Sequence, residues 1–166
     1  IGGTRYSMIV NGNLNGDFVS SNDLAHVYDP NNAATPAYIQ EGINSILNNP
    51  DAEQSLKDYI RKNFGKVAER NGGVNGFYGT LDLRLAKKFK TFKNQNLEVS
   101  VDIFNVANML SKDWGSGHIL GNQYIYSIKG FDQGNKQYTY NVNANAGVSN
   151  LNGTPFQVQI GLRYGF

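Results

Sequence analysis

The stretch "FQVQIGLRYGF", residues 156–166, decides how this chain is read. Phe156, Val158, Ile160, Leu162, Tyr164 and Phe166 alternate with Gln157, Gln159, Gly161, Arg163 and Gly165. Successive side chains leave a strand on opposite sides, so this period predicts a strand with one apolar and one polar face. Chain ends usually fray into polar disorder, and a rhythm kept through Phe166 asks for a reason.

Working outward, the same period runs through "GFYGTLDLRLAKKF" from Gly76, where Phe77, Gly79, Leu81, Leu83 and Leu85 oppose Tyr78, Thr80, Asp82, Arg84 and Ala86. It returns in "LEVSVDIFNVANML", with Leu97, Val99, Val101 and Ile103 against Glu98, Ser100 and Asp102. The polar "TFKNQN" between them reads as a tight turn, which predicts an antiparallel hairpin of strands 76–90 and 97–108. A strand stub over 5–10 and the strand at 156–166 complete the set.

Between these strands lie two long connections, 11–75 and 109–155. The first begins with Asn, Gly, Asp and Ser and then changes period. Ile39, Gly42, Ile43, Ile46 and Leu47 sit at helical spacing behind Thr35 and Pro36, read as N-cap and first-turn proline. A second helix carries Leu56, Tyr59, Ile60 and Phe64 on one face and ends at Gly65. The pair reads as a helical hairpin within a long loop, packed on something nearby. In the second connection, Tyr124 and Tyr126 face Tyr138 and Tyr140 across a Gly-containing turn, which predicts another hairpin.

Composition supports β-structure with polar loops: ten Tyr, nine Phe and nineteen Gly in 166 residues, enough chain for one domain. There is no cysteine, which removes disulfides and thiolate metal sites. The net charge of +2 is dispersed, so no nucleic-acid partner is expected. No run of about 18 apolar residues exists. The chain starts at Ile1 inside a strand pattern, which points to a fragment or processed product.

Strands with one apolar face fit half of a soluble sheet. They also fit the wall of a membrane barrel, where a tilted strand needs about ten residues and the inner face tolerates charge. Asp82, Arg84, Glu98, Asp102 and Arg163 occupy the polar faces. One tight turn against two long connections is the loop asymmetry of outer-membrane barrels. Only helices and closed barrels satisfy all backbone groups in lipid, so three strands and a stub would be part of a larger wall.

"QIGLRYGF", with Gln159, Gly161, Tyr164 and Phe166, resembles the signal that the barrel-assembly machinery reads on the last strand of outer-membrane barrels. "NLEVSVDIFNVANML" followed by "DWG", and "NGNLNGDFVSSNDLAHVYDP" followed later by "AERNGG" and "LDLRLAKKF", resemble the end of TonB-dependent outer-membrane receptors of the Bacteroidetes type. The most similar subgroup carries a carboxypeptidase-regulatory-like N-terminal extension. The resemblance covers most of the chain and is weakest in the second connection. It implies that residues 1–166 are the C-terminal part of one 22-stranded transmembrane β-barrel domain in the bacterial outer membrane, built of antiparallel strands with long external loops. It implies import of a nutrient ligand, with the TonB complex acting through a plug outside these residues and outer-membrane lipid around the wall. With the last strand ending in the periplasm, turn 91–96 falls on that side and both long connections outside. A soluble all-β surface or periplasmic binding module, adhesin-like, is the alternative.

Candidate sites are few. Tyr124, Tyr126, Tyr138 and Tyr140 fit ligand stacking, and cross-strand packing accounts for the same spacing. Asn11, Asn13, Asn15 and Asp17, with Gly16 and Asp23, space oxygens as a calcium loop does. An Asn first and no Glu at position twelve favour a plain Asn/Gly turn, and Asp17 and Asp23 are the candidate ligands if calcium binds. No other cofactor is expected. His26 and His118 lack partners at metal-ligand spacing, no Ser–His–Asp order is assembled, and no enzymatic activity is expected.

Overall fold

The alternating strands and the irregular connections fold as two separate bodies. In the computed structural model, which describes residues 3–92 and 95–166, one body comprises 77–117 with 151–166 and the other 3–76 with 118–150. The main elements are β1 (Met8–Asn11), α1 (Ala37–Asn48), α2 (Gln54–Lys62), β2 (Leu83–Lys90), β3 (Asn96–Phe104), α3 (Val106–Leu110), β4 (Gln123–Asp132), β5 (Gln137–Val142) and β6 (Gln157–Gly165). The chain is mainly β, with antiparallel sheets and one parallel pair, and no closed barrel is formed among the described residues.

The sheet body is a three-stranded antiparallel ladder in the order β6–β3–β2. Its register stacks four apolar-side rungs: Leu83–Ile103–Val158, Leu85–Val101–Ile160, Lys87–Val99–Leu162 and Phe89–Leu97–Tyr164. The intervening rungs are polar: Arg84–Asp102–Gln159, Ala86–Ser100–Gly161, Lys88–Glu98–Arg163 and Lys90–Asn96–Gly165. Opposite charges therefore meet across strands, with Arg84 3.5 Å from Asp102 and Lys88 3.4 Å from Glu98. Gly161 gives room to the Ser100 hydroxyl, which would stand 2.5 Å from a Cβ there and would have to rotate away. The expected turn 91–96 lies partly outside the described residues, at Lys93 and Asn94.

Two expected strands are shorter than their alternation. The strand predicted over 76–90 starts at Leu83, and the one predicted over 97–108 runs from Asn96 to Phe104. Asn105 causes both changes. It adopts a left-handed conformation (φ 53°), which ends β3 and starts α3. Its amide donates to Asp82 Oδ1 (2.8 Å), and its side-chain Nδ2 donates to the carbonyls of Thr154 (2.6 Å) and Gly115 (3.1 Å). Asn108 repeats the device, donating to the carbonyls of Lys112 and Trp114 and accepting from the Phe156 amide. Short polar side chains thus satisfy backbone groups that the ladder abandons.

The loop body has its own core. β4 pairs antiparallel with β5 and parallel with β1. Arg5–Tyr6 pairs with Gly73–Val74, and His26–Val27 with Lys66–Val67. Tyr6, Met8, Val10, Ile39, Ile43, Ile46, Leu56, Ile60, Ile125 and Tyr126 are all buried together. α1 approaches β5 through Gly42, where a Cβ would lie 2.5 Å from Val142 Cβ. Asn75 locks the two connections together: its Oδ1 accepts the Leu120 amide at 2.8 Å and its Nδ2 donates to the Leu120 carbonyl at 2.9 Å.

Residues 5–10, expected as a strand stub, are extended over Arg5–Tyr6 and Met8–Asn11, and they lie within this core. Met8, Ile9 and Val10 are buried consecutively, the signature of a strand covered on both faces rather than of a half-exposed wall. Both helices fall where the helical spacing puts them, and Gly65 takes positive φ just past α2. Thr35 does not cap α1. Pro36 holds the N-cap position while the Thr35 hydroxyl donates to the Asp29 carbonyl.

Candidate functional site

The hairpin β4–β5 supplies one wall of an aromatic cleft in the loop body. Asp132 shapes its turn, accepting from the backbone N–H of Gly134 and Asn135 and from the Asn135 side chain. The Asn135 amide, then the two backbone donors, hold the Asp132 carboxyl below the usual carboxylate range. β5 is regular, so Tyr138 and Tyr140 emerge on one face. β4 carries two single-residue bulges, since Ile9 and Val10 pair with Tyr124 and Tyr126, and Thr139 and Tyr140 with Gly130 and Ile128. The first bulge, at Ile125, turns Ile125 and Tyr126 inward together and leaves Tyr124 40% exposed, away from the cleft.

The other wall comes from the first connection. Tyr28, Ala34, Pro36 and Tyr38 face Tyr138 and Tyr140 across a hollow of about 650 Å³. A neighbouring hollow of about 410 Å³ is lined by Tyr38, Lys129, Thr139, Tyr140, Asn141 and Val142, so Tyr38, Thr139 and Tyr140 belong to both. Tyr126 is buried behind Tyr28 and Tyr140. Its ring meets Tyr28 edge-on at 6.1 Å and Tyr140 at 5.4 Å, and its hydroxyl accepts the Tyr28 amide at 3.4 Å. Burial, chiefly, pushes the Tyr126, Tyr28 and Tyr140 phenols above their ordinary value, with neighbouring tyrosine oxygens adding to it. These phenols therefore stay neutral hydrogen-bonding groups at physiological pH. Phe131 stacks edge-on against Tyr138 at 5.2 Å at the cleft mouth, where Lys136 and Asp132 provide charge. Aromatic faces, neutral hydroxyls and a few charges in a concave site are the means by which proteins hold small polar ligands with an apolar face.

Of the four candidate tyrosines, the structure brings Tyr138 and Tyr140 to the cleft surface, puts Tyr126 beneath it and sends Tyr124 elsewhere. Sequence reasoning missed Tyr28, Tyr38 and Phe131. Tyr38 lies on the exposed flank of α1 and Tyr28 in an irregular segment, so no periodicity marked them.

The Asn/Asp loop is internally bonded. Asp17 accepts from the side chains of Asn22 and Asn15 and from the Val19 amide, and Asn22 first, then Val19, lowers its pKa. Asp23 Oδ2 accepts the Leu14 amide at 2.7 Å, and Asn13 Oδ1 the Gly16 amide at 2.7 Å. Its oxygens serve as turn caps. Among the described residues no three His, Cys, Asp or Glu side chains are grouped for a metal.

One polar cluster escaped sequence reading. His118 Nδ1 lies 3.0 Å from Ser149 Oγ and 3.2 Å from Glu53 Oε1, and Ser149 donates to Glu53 at 2.9 Å. Hydroxyl and carboxylate meet the same ring nitrogen, so the imidazole cannot relay a proton between them through its two nitrogens as a nucleophile triad requires. The cluster ties residues 118 and 149 to the N-terminus of α2.

On β6, Gln159 pairs with Asp102 and Gly161 with Ser100, Tyr164 donates to Gln95, and Phe166 is fully exposed. The chain matches no family model, no curated protein and no solved structure.

Proposed function

We propose that this chain is the C-terminal wall segment of a TonB-dependent outer-membrane receptor that binds and imports a nutrient ligand. The observation that carries this reading is the sheet of β2, β3 and β6. Leu85, Val158, Ile160, Leu162 and Tyr164 lie open on one face, Ile160 at 71% and Leu162 at 73%, while the other face carries polar rungs with the pairs Arg84–Asp102 and Lys88–Glu98. Such an area left to water invites association, whereas against acyl chains it needs no cover. The short β2–β3 turn at one end of the sheet and the long connections leaving the other end support the same arrangement. In this reading the polar rungs line the lumen, the loop body is external, and its cleft of Tyr28, Tyr38, Tyr138 and Tyr140 contacts the ligand. The TonB complex acts through a plug elsewhere in the protein, and Gln159, Gly161, Tyr164 and Phe166 are the residues the assembly machinery reads.

The self-sufficient core of the loop body favours a second reading, a soluble binding module. Fractionation and gel mobility of the intact protein separate the two. A receptor stays with outer membranes through carbonate extraction and migrates faster unheated than boiled. A monomer that remains monodisperse without detergent would overturn the membrane reading.

A further inference from the structure

Among the described residues, the apolar face of the sheet carries one ionisable group besides the Tyr164 phenol, and that group is Lys87. It shares its rung with Val99 and Leu162, one rung in from Phe89, Leu97 and Tyr164 at the turn end. The carboxylates of this sheet, Glu98 and Asp102, lie on the opposite face, where Lys88 and Arg84 pair with them. Among the described residues Lys87 has no carboxylate partner, and its ammonium stands 5.4 Å from the centre of the Phe89 ring. The side chain is therefore bent toward the turn end, along an apolar stem, to the level of the aromatic rung. Successive rungs are about 7 Å apart, close to the reach of a lysine. Beside it, Leu85, Phe89, Val99 and Val101 border a shallow groove of about 330 Å³.

On the reading that this face meets lipid, we infer that Lys87 and its groove form a binding site for an anionic phospholipid of the periplasmic leaflet. Lys87 Nζ takes the headgroup phosphate at the level of Phe89 and Tyr164, and the groove takes the first part of an acyl chain. Charge complementarity carries the assignment. An ammonium among apolar side chains in a bilayer must reach the interface or a counter-ion, and its bend points to the rung where headgroups lie. The cation–π contact with Phe89 holds the ammonium there while leaving its hydrogens free to donate.

The intact protein is reconstituted in vesicles of phosphatidylcholine with one-fifth phosphatidylglycerol, extracted gently, and examined by native mass spectrometry. Phosphatidylglycerol should remain bound to the wild type. Lys87→Gln should lower its retention about five-fold, Lys87→Arg should restore it, and Lys90→Gln, which removes the same charge from the other face, should leave it unchanged. Equal retention by wild type and Lys87→Gln overturns the lipid site. So does a dimer that Lys87→Gln dissolves without loss of lipid, which would assign the face to a second copy. Protein that never enters the vesicles fails one step earlier and overturns the membrane reading itself.

Discussion

The two bodies of this chain treat apolar side chains in opposite ways. The loop body, drawn from stretches rich in Asn and Gly, hides Ile39, Ile43, Ile46, Leu56 and Ile60 in a shared core. The sheet body, drawn from the most regular strands, leaves Leu85, Ile160 and Leu162 in the open. Regular alternation is therefore no guide to burial in this protein. Three strands have one layer, and a single layer cannot cover itself. The helices and strands of the connections have a second layer to pack against, and they use it.

The sharpest test of this contrast exchanges one isoleucine from each body in the intact protein. Ile43→Ala empties a fully packed site and should cost about 2–5 kcal/mol, read as melting of the loop body by limited proteolysis. Ile160→Ala should change it by less than about 0.5 kcal/mol. Ile160→Arg distinguishes lipid from water at the sheet face. If that face lies in a bilayer, it should destabilise the protein by roughly 2–4 kcal/mol near the midplane, measured by urea unfolding in vesicles with Trp114 fluorescence. An arginine that costs nothing there would mean that the face is wet.

The same contrast explains what could be read in advance. The strand period, the pairing of β2 with β3 and the two helices were legible because each follows from a local pattern of side-chain spacing. The Tyr hairpin was legible too, but its two bulges were not, since the extra residues at Ile125 and Lys129 obey no spacing rule. The association of the two connections was hidden because it depends on pairing between residues more than a hundred positions apart, such as Met8 with Gln123. The cleft inherits that blindness, as one wall comes from each connection. Asn105 was visible as part of a motif. That it ends a strand by going left-handed became clear only with Gly115 and Thr154 beside it.

A smaller effect separates the bodies by pH. Burial raises the pKa of Tyr126 above the ordinary 10.0, and Tyr6, Tyr28, Tyr59 and Tyr140 move the same way. A group whose folded-state pKa is raised contributes stability that is complete below its unfolded value and lost as pH climbs through the folded one. The loop body should therefore weaken from about pH 10 upward. Tyr126→Phe should flatten that decline without abolishing it, because four other phenols remain. Absorbance at the phenolate band, followed with proteolytic susceptibility, reads both. A decline equally steep in the variant would place the pH response in phenols other than Tyr126.

The smallest effect concerns the other face of the sheet. Lys88 and Glu98 are 3.4 Å apart with side-chain exposures of 74% and 20%, and Arg163 stands opposite Glu98 on β6. If that face lines a water-filled lumen, solvent and salt screen the pair. A double-mutant cycle of Lys88→Gln and Glu98→Gln in the intact protein should then give a coupling below about 1 kcal/mol, falling further as ionic strength rises. A coupling of several kcal/mol that ignores salt would require a dry environment, with another part of the protein packed onto the charged rungs. Such a result, beside a costly Ile160→Arg, would keep the apolar face in lipid and fill the lumen with protein. Beside a neutral Ile160→Arg, it would reverse the two faces of the sheet.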